Sequence, residues 1–362
     1  MALVLALVVT APAVARNEDT AAPLLEAMAY LDPGSDPAGL DFVDWAQLKR
    51  LYGAEGVTSA SPLEERQHFL LEVARNEAVP LPLGLDRLAT WPELWGWDTT
   101  DLDWQARFLD GRDVLRFGEH WDPAGFRAAL KSLGYERDDS GRPEVWLPPD
   151  DEIPTEARIE RVGTRIEAPE LSLTFAPVTI STDGRTVVID AYGPGPSLRQ
   201  LRKASRPDLE RIAKTPAGRA ARAMGDVVVA SVAASADFPC RWPGEQDLLA
   251  GEPDIGAIVA GLHRYEARAD GYGRGAAGSP ASVRYVFSYR RPRQARADLE
   301  GRAALVELGA PWDPASAALS LTHARVAGKE LILDVQPDSG HPGPYGNWRI
   351  VWDPFVMCGS PG

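Results

Sequence analysis

The stretch with the richest chemical potential is WPELWGWDTTDLDW, Trp91–Trp104. It holds four of the eleven tryptophans of the chain, together with three aspartates. Exposed indole rings stack on sugar rings and other flat apolar ligands, and carboxylates accept hydrogen bonds from hydroxyl groups. We therefore predict a ligand-binding site here, formed by Trp95, Trp97, Asp98 and Asp101.

Three other interpretations of this stretch stay open. Carboxylates held about 5 to 9 Å apart serve as acid and base in glycoside hydrolysis, which makes Asp98, Asp101 and Asp103 candidates for a carbohydrate-active hydrolase. The Asp-x-x-Asp-x-Asp run could also bind calcium, although it lacks the glycine and the distal glutamate of an EF-hand loop. Finally, the tryptophans could fill the junction between an N-terminal helical region and a first sheet, without any ligand.

Elsewhere the sequence shows no pattern typical of a catalytic, metal or cofactor site. The five histidines lack metal-ligand spacing, and no serine stands in Gly-x-Ser-x-Gly. Gly273, Gly275 and Gly278 spell GxGxxG, but they lie in a predicted Gly-rich loop, Ala267–Pro280, that does not open a helix. We therefore predict no catalytic residue, no metal and no cofactor. This favours a non-catalytic protein without deciding whether the chain is an enzyme.

The first fifteen residues, MALVLALVVTAPAVA, are typical of an export signal. The run is apolar, too short to span a bilayer, and ends in small residues at Ala13 and Ala15. Because no basic residue precedes it, a retained anchor and a buried N-terminal strand stay open as alternatives. We expect an extracytoplasmic chain, secreted or associated with the cell envelope, with no membrane span after cleavage.

Two cysteines, Cys240 and Cys358, fit an oxidising compartment. Such a pair commonly closes a disulfide. A loop of this size is stabilised by about 4 to 5 kcal/mol in the chain-entropy account. We predict this disulfide, with two buried free thiols as the alternative.

The net charge of the chain is −14. This charge argues against a nucleic-acid partner, because phosphate backbones are bound by clustered cations. The two most basic stretches are YRRPRQAR (Tyr289–Arg296) and SLRQLRKASR (Ser197–Arg206), which we interpret as solvated helix faces. The expected partner is therefore an unidentified ligand or an envelope protein.

Periodicity predicts the elements that position these residues. After the signal segment 1–15 we expect a helical region over 16–100, a first α+β unit with following helices over 101–240, and a second α+β unit with a C-terminal strand over 241–362. One helix of the first region should lie in FVDWAQLKRLYG, capped by Asp44 and ended by Gly53.

The two α+β units show signs of a common origin. LSLT occurs at Leu171–Thr174 and again at Leu319–Thr322, in each case after a strand and a helix with a proline near its start. We predict an α+β fold with two related β-α-β-β units, in mixed or antiparallel sheets with helices packed on one face. Convergent use of an amphipathic strand is the alternative.

Three segments, FVDWAQLKRLYG, GWDTTDLDW and DPAGFRAALKSLGY, resemble segments of exported envelope proteins, some of them lipid-anchored, from GC-rich Gram-positive and related bacteria. The resemblance covers roughly Leu40–Leu147. It implies an envelope location and no particular activity, and the signal segment lacks the cysteine of the lipid-anchored members. The sequence thus predicts an exported, non-catalytic envelope protein that binds an unidentified ligand or partner. A carbohydrate-active hydrolase using carboxylates near 91–104 is the alternative function.

Overall fold

The computed structural model describes most of the chain, and the fold below is that of the described residues. They are residues 23–30, 39–77, 79, 88–89, 91–148, 176–190, 198–204, 206–233, 251–273, 282–309, 319–337 and 357–358. Of the two LSLT segments, the first lies outside these ranges and the second begins a strand.

Twelve strands in these ranges form one continuous sheet in which all neighbours are antiparallel. In chain order they are Gly39–Asp44 (β1), Leu102–Phe108 (β2), Arg112–Phe117 (β3), Glu136–Asp138 (β4), Glu144–Leu147 (β5), Val178–Ile180 (β6), Thr186–Asp190 (β7), Val229–Ala233 (β8), Ala267–Gly273 (β9), Ser282–Ser288 (β10), Leu319–Ala327 (β11) and Glu330–Pro337 (β12). Across the sheet the order is β11-β12-β10-β9-β8-β1-β2-β3-β7-β6-β5-β4. β1 and β8 therefore pair in the interior of the sheet, and the hairpin β4–β5 extends one end.

Ten α-helices connect the strands in the described ranges. They are Pro23–Met28 (α1), Trp45–Tyr52 (α2), Leu63–Asn76 (α3), Trp91–Trp95 (α4), Pro123–Ser132 (α5), Leu198–Ala204 (α6), Leu209–Lys214 (α7), Pro216–Met224 (α8), Pro253–Gly261 (α9) and Pro292–Leu308 (α10). A short 3-10 helix, Thr99–Asp101, precedes β2. No described helix combines the length and the apolar character that crossing a bilayer requires.

The helices cover both faces of the sheet. α1, α7 and α8 contribute buried residues to the apolar core on one face, and α2 to α5, α9 and α10 contribute to the core on the other. The α+β class is as predicted, but the prediction that helices pack on one face is wrong. The physical reason is visible in β8, where Val229 is buried on one face while Ala230 and Val232 are buried on the other. Apolar side chains on both faces require cover on both.

The region predicted as helical also contributes a strand. β1 lies between β2 and β8 in the sheet, because both faces of this segment bury apolar side chains. The helix predicted after it is present as α2. The Asp44 carboxylate accepts a hydrogen bond from the backbone amide of Gln47 at 2.7 Å. Gly53 ends the helix with a φ of 63° that a glycine adopts without strain.

Part of the predicted Gly-rich loop is in fact β9. Its small residues gave no alternating apolar pattern, so periodicity did not indicate a strand. In the fold, small size is what β9 requires, because a Cβ atom on Gly271 would lie 2.5 Å from the Val229 carbonyl oxygen. The sheet thus runs through both predicted α+β units, and the predicted boundary at 240/241 lies outside the described residues.

Candidate functional site

The predicted Trp-rich site lies inside the protein. Trp95 and Trp97 are only 4% and 6% exposed. Their ring centroids lie 5.8 and 6.2 Å from that of Trp91, and the Trp97 ring meets Phe117 edge-on at 5.5 Å. These indoles therefore fill the core between α4, α5 and the sheet, as the packing alternative expects, and they present no stacking surface to a ligand.

The two predicted aspartates are also occupied within the fold. Asp98 is fully buried and forms an ion pair with Arg66, and its carboxylate accepts the Thr100 amide at 2.7 Å. Asp101 accepts the amides of Asp98 and Ser59 at 3.0 and 2.9 Å, and the two aspartates form a capping box around the 3-10 helix. Burial raises the pKa of Asp101, and both amide bonds oppose that rise.

This arrangement gives no support to the ligand site predicted at these four residues, which stays a prediction. The carboxylates of Asp98 and Asp101 stabilise a turn and a helix start, because the chain must satisfy buried amides where it leaves α4 and enters β2. Asp103, the third carboxylate, pairs with Arg185 at 2.9 Å. Among the described residues no group of three His, Cys, Asp or Glu side chains is placed to hold a metal ion.

A different region forms an open cleft. It lies over the neighbouring strands β3 and β7, between the end of α1 and the helices α6 and α7, and has a volume of about 1270 Å³. This volume exceeds the roughly 300 to 1,000 Å³ of ordinary small-molecule sites. Six cationic side chains line it against three carboxylates; the cations are Arg112, Arg199, Arg202, Lys203, Arg206 and Arg211, and the carboxylates are Asp110, Asp190 and Asp208.

The floor of the cleft holds one cation and two carboxylates. Arg112 is 6% exposed and reaches Asp110 with three N–O distances between 2.6 and 3.1 Å. Its remaining guanidinium nitrogen donates to the Tyr30 carbonyl oxygen at 3.2 Å, just after α1. Asp190 stands opposite Arg112 in the pairing of β7 with β3. Burial raises the pKa of Asp190, the Arg112 charge lowers it and the Asp110 charge raises it.

One wall of the cleft carries the surplus charge. Arg199, Lys203 and Arg206 follow one another at i, i+4 and i+7, the spacing that places side chains on one side of a helix. The Arg206 amide donates to the Lys203 carbonyl oxygen at 3.2 Å, which carries the helical turn past the end of α6. No carboxylate among the described residues pairs with these three cations, although the Arg206 guanidinium also donates to the Arg142 carbonyl oxygen at 3.1 Å.

The wall is held in place by the residue between those cations. Arg202 forms an ion pair with Asp138 of β4, and it donates to the Ser140 hydroxyl at 3.1 Å. On the same helix Leu201 is 3% exposed. These contacts fix α6 against the β4–β5 hairpin, so the cationic row has a defined position before any ligand arrives.

The charge of the cleft is opposite to that of the whole chain. A surplus of three positive charges is concentrated in a concave surface, while the complete sequence has a net charge of −14. A concave surface lined by charges of one sign concentrates the electrostatic potential and attracts ions of the other sign. The arrangement is suited to binding an anion, since guanidinium groups grip carboxylates and phosphates through paired N–H donors.

Sequence analysis missed this cleft although its main signal was visible. The segment SLRQLRKASR has the composition of a solvated helix face, and its cations at helical spacing can be read directly from the sequence. The sequence did not show that this face lies opposite Asp190 and Arg112, which β7 and the distant strand β3 bring together.

Only one of the two cysteines of the predicted disulfide lies among the described residues. Cys358 is 6% exposed, whereas Cys240 lies outside the described residues, so the pairing stays a prediction.

Comparison of the chain with known protein families, with curated protein sequences and with solved structures found no match.

Proposed function

We propose that this chain is an exported, non-catalytic protein of the cell envelope that binds an anionic ligand in the cleft between α1, α6 and α7. The observation that carries the proposal is the row Arg199, Lys203 and Arg206, three cations without a described acidic partner on one wall of a large cleft. Charges left uncompensated beside a concavity are destabilised by mutual repulsion, so a bound anion stabilises them.

The location rests on the sequence. The apolar segment that ends at Ala13 and Ala15 has the composition of an export signal, and the two cysteines suit an oxidising compartment. The resemblance of Leu40–Leu147 to exported envelope proteins points the same way. A protein partner is the predicted alternative to a small ligand. Among the described residues the exposed large hydrophobic side chains do not form a patch for such a partner, because they are the scattered Leu109, Leu209 and Leu308.

The hydrolase alternative gains no support from the described residues. Its candidate carboxylates cap a turn or pair with arginines, and the cleft floor uses Asp110 to neutralise Arg112. We therefore favour binding over catalysis.

Calorimetric titration with two small anions, citrate and tripolyphosphate, tests the binding proposal. We expect Arg199→Gln combined with Lys203→Gln to weaken binding at least about tenfold, because hydrogen bonds to charged groups contribute about 1.5 to 3 kcal/mol each. The matched control is Arg293→Gln combined with Arg296→Gln, which removes the same charge from exposed positions of α10. Equal weakening by both pairs, or no binding of either anion by the wild type, would refute a cleft-specific site.

We also propose that the two halves of the sheet arose by duplication. The order β1-β2-β3-β7-β6 in one half corresponds to β8-β9-β10-β12-β11 in the other. In each half a helix follows the third strand and precedes the final hairpin, namely α5 and α10. The hairpin β4–β5 is then an insertion into the first half, and β1 and β8 are equivalent strands that pair with each other.

Details of register support this proposal. Arg112 stands opposite Asp190, and Arg284 stands opposite Asp334 at the equivalent place in β10 and β12. Both arginines donate to a carbonyl oxygen at the end of the preceding equivalent helix: Arg112 to Tyr30 at 3.2 Å and Arg284 to Met224 at 3.0 Å. Independent origins would have to reproduce both the strand pairing and these two contacts.

A helix-to-sheet ion pair recurs with its charges exchanged. In the first half Glu26 of α1 lies 3.8 Å from Arg116 of β3, and in the second Arg219 of α8 lies 2.8 Å from Glu330 of β12. β3 and β7 are neighbours, as are β10 and β12. Each ion pair therefore links the equivalent helix of its half to the equivalent pair of strands. An experimental structure in which Arg112 and Arg284 occupy non-equivalent places after superposition of the two halves would contradict the duplication.

A further inference from the structure

The distribution of charge inside the cleft indicates the shape of its ligand, given the proposed function on which this inference rests. We propose that the ligand is a linear polyanion that lies along α6, and that each of several successive anionic groups meets one cation. The chemical class is an unbranched polymer with regularly spaced carboxylates or phosphates and no aromatic bases.

The first argument is the spacing of the cations. Arg199 and Lys203 lie on one side of α6, and Arg206 follows two residues after its end; helical spacing places such side chains about 4.5 to 6 Å apart along the axis. The row therefore spans roughly 10 Å, at a rise of about 1.5 Å per residue. A single phosphate or carboxylate touches one or two of these cations, whereas a chain with repeating anionic groups touches all three.

The second argument concerns the floor. A compact anion at the bottom of the cleft would lie beside Arg112. There it would meet the carboxylates of Asp110 and Asp190, and Asp110 already neutralises Arg112. Repulsion from these carboxylates favours a ligand that stays along the α6 wall. The charge pattern thus selects an extended anion over a compact one.

The third argument excludes base recognition. Proteins that bind single-stranded nucleic acids stack the bases on exposed aromatic rings. Among the described residues lining the cleft the one aromatic side chain is Tyr30, which is 5% exposed. The cleft therefore offers contacts to a charged backbone and none to bases.

The fourth argument is preorganisation. The Arg202 ion pair and the buried Leu201 hold α6 on the β4–β5 hairpin, so the backbone that carries the row of cations has a defined position. The spacing of a fixed row favours polymers whose anionic groups repeat at a matching interval. The volume of about 1270 Å³ gives room for several units of such a polymer.

The test compares oligomers of increasing length with the full exported chain. Polyuronates of two, four and eight units present carboxylates, and polyphosphates of the same charge present phosphates. We expect the affinity to rise with oligomer length until the oligomer carries about four charges. Beyond that length the affinity, divided by the number of possible binding positions on the oligomer, should stay constant. The slope of log Kd against log salt concentration should be about 2 to 3, the value for three or four charge contacts of a flexible single chain.

Single substitutions provide the second readout. Arg199→Gln, Lys203→Gln and Arg206→Gln should each reduce the salt slope by about 0.7 and weaken binding of the longest oligomer about tenfold, whereas Arg293→Gln on α10 should change neither the slope nor the affinity. The three side chains are exposed, so circular dichroism and thermal unfolding should show an unchanged fold.

Each outcome decides between distinct conclusions. Equal affinity for two-unit and eight-unit oligomers, with loss of binding in the cleft variants, would overturn the polymer inference and leave the anion-binding function intact. Binding that is unchanged in the cleft variants would overturn both the polymer inference and the anion-binding function. Tighter binding of a thymidine oligonucleotide than of polyphosphate at equal charge would reveal base recognition and would also overturn the inference. Preference for polyuronate or for polyphosphate supports it and identifies the anionic group.

Discussion

Asp44 is the carboxyl group whose titration we expect to influence the stability of this fold most measurably. It is 6% exposed, and burial raises its pKa from 3.8 to about 6. The Gln47 amide and the Arg50 charge oppose that rise, while Asp103 and Asp226 add to it. The test replaces Asp44 by Asn, which cannot ionise but keeps an oxygen to accept the Gln47 amide at the start of α2.

The direction of the effect follows from proton binding. Between pH 4 and pH 6 the folded state holds the Asp44 proton more tightly than the unfolded state does, so the free energy of unfolding falls as the pH rises through this range. Each pKa unit corresponds to about 1.4 kcal/mol, so a shift of about two units gives roughly 3 kcal/mol. This stability is present below the unfolded pKa and is lost once the pH passes the folded pKa.

Urea unfolding of the wild type and of Asp44→Asn, at intervals from pH 4 to pH 7.5, measures this quantity. The variant should have nearly the stability of the wild type at pH 4 and should exceed it by up to about 3 kcal/mol at pH 7.5. Taking the difference between the two proteins removes the titration of all other groups. Asp44→Ser, which also keeps an acceptor at the helix start, is the control and should show the same pH dependence.

A flat difference between variant and wild type across this range would refute the reasoning. So would a difference of opposite sign, with the variant losing stability as the pH rises. A flat difference would mean that the Gln47 backbone amide and Arg50 stabilise the ionised carboxylate as much as burial destabilises it, and the opposite sign would mean that they stabilise it more.

Two further predictions concern the core and the cysteines. Replacement of Arg66 by Met should lower the free energy of unfolding by about 3 to 5 kcal/mol, because it leaves the fully buried Asp98 carboxylate without its cation; urea unfolding measures this, and the variant Arg66→Met with Asp98→Asn should recover most of the loss. Mass spectrometry of the exported protein, with and without reductant, should show removal of residues 1–15 and a gain of two hydrogens on reduction of Cys240 and Cys358; two alkylatable thiols before reduction would exclude the disulfide.

Local features of this protein followed from the sequence because their causes are local. Asp44 and Gly53 bound α2 through a side-chain cap and a backbone conformation, and both are determined by a few neighbouring residues. The strands β2 and β3 showed the alternation of half-buried strands for the same reason. The pattern that suggested two related units also depended on the order of such local elements.

The position of each face depended on contacts between distant segments. WPELWGWDTTDLDW contains aromatic rings and carboxylates in a pattern that suits a binding surface, yet α5, α3 and the sheet enclose it, and Arg66 lies 32 positions from Asp98. SLRQLRKASR is an ordinary basic helix by its composition. It becomes the wall of a cleft only because β3 and β7 bring Arg112 and Asp190 opposite it.

The sequence by itself determined the α+β class, several helix ends, the acidic charge of the chain and the candidate cysteine pair, since composition and short-range periodicity carry that information. The tertiary structure alone decided that the tryptophans are core, that β1 and β8 join two halves into one sheet, and that the cations of α6 face a cleft. The physical reason is that burial and electrostatic potential depend on which surfaces meet, and several of the meeting surfaces come from segments more than eighty residues apart.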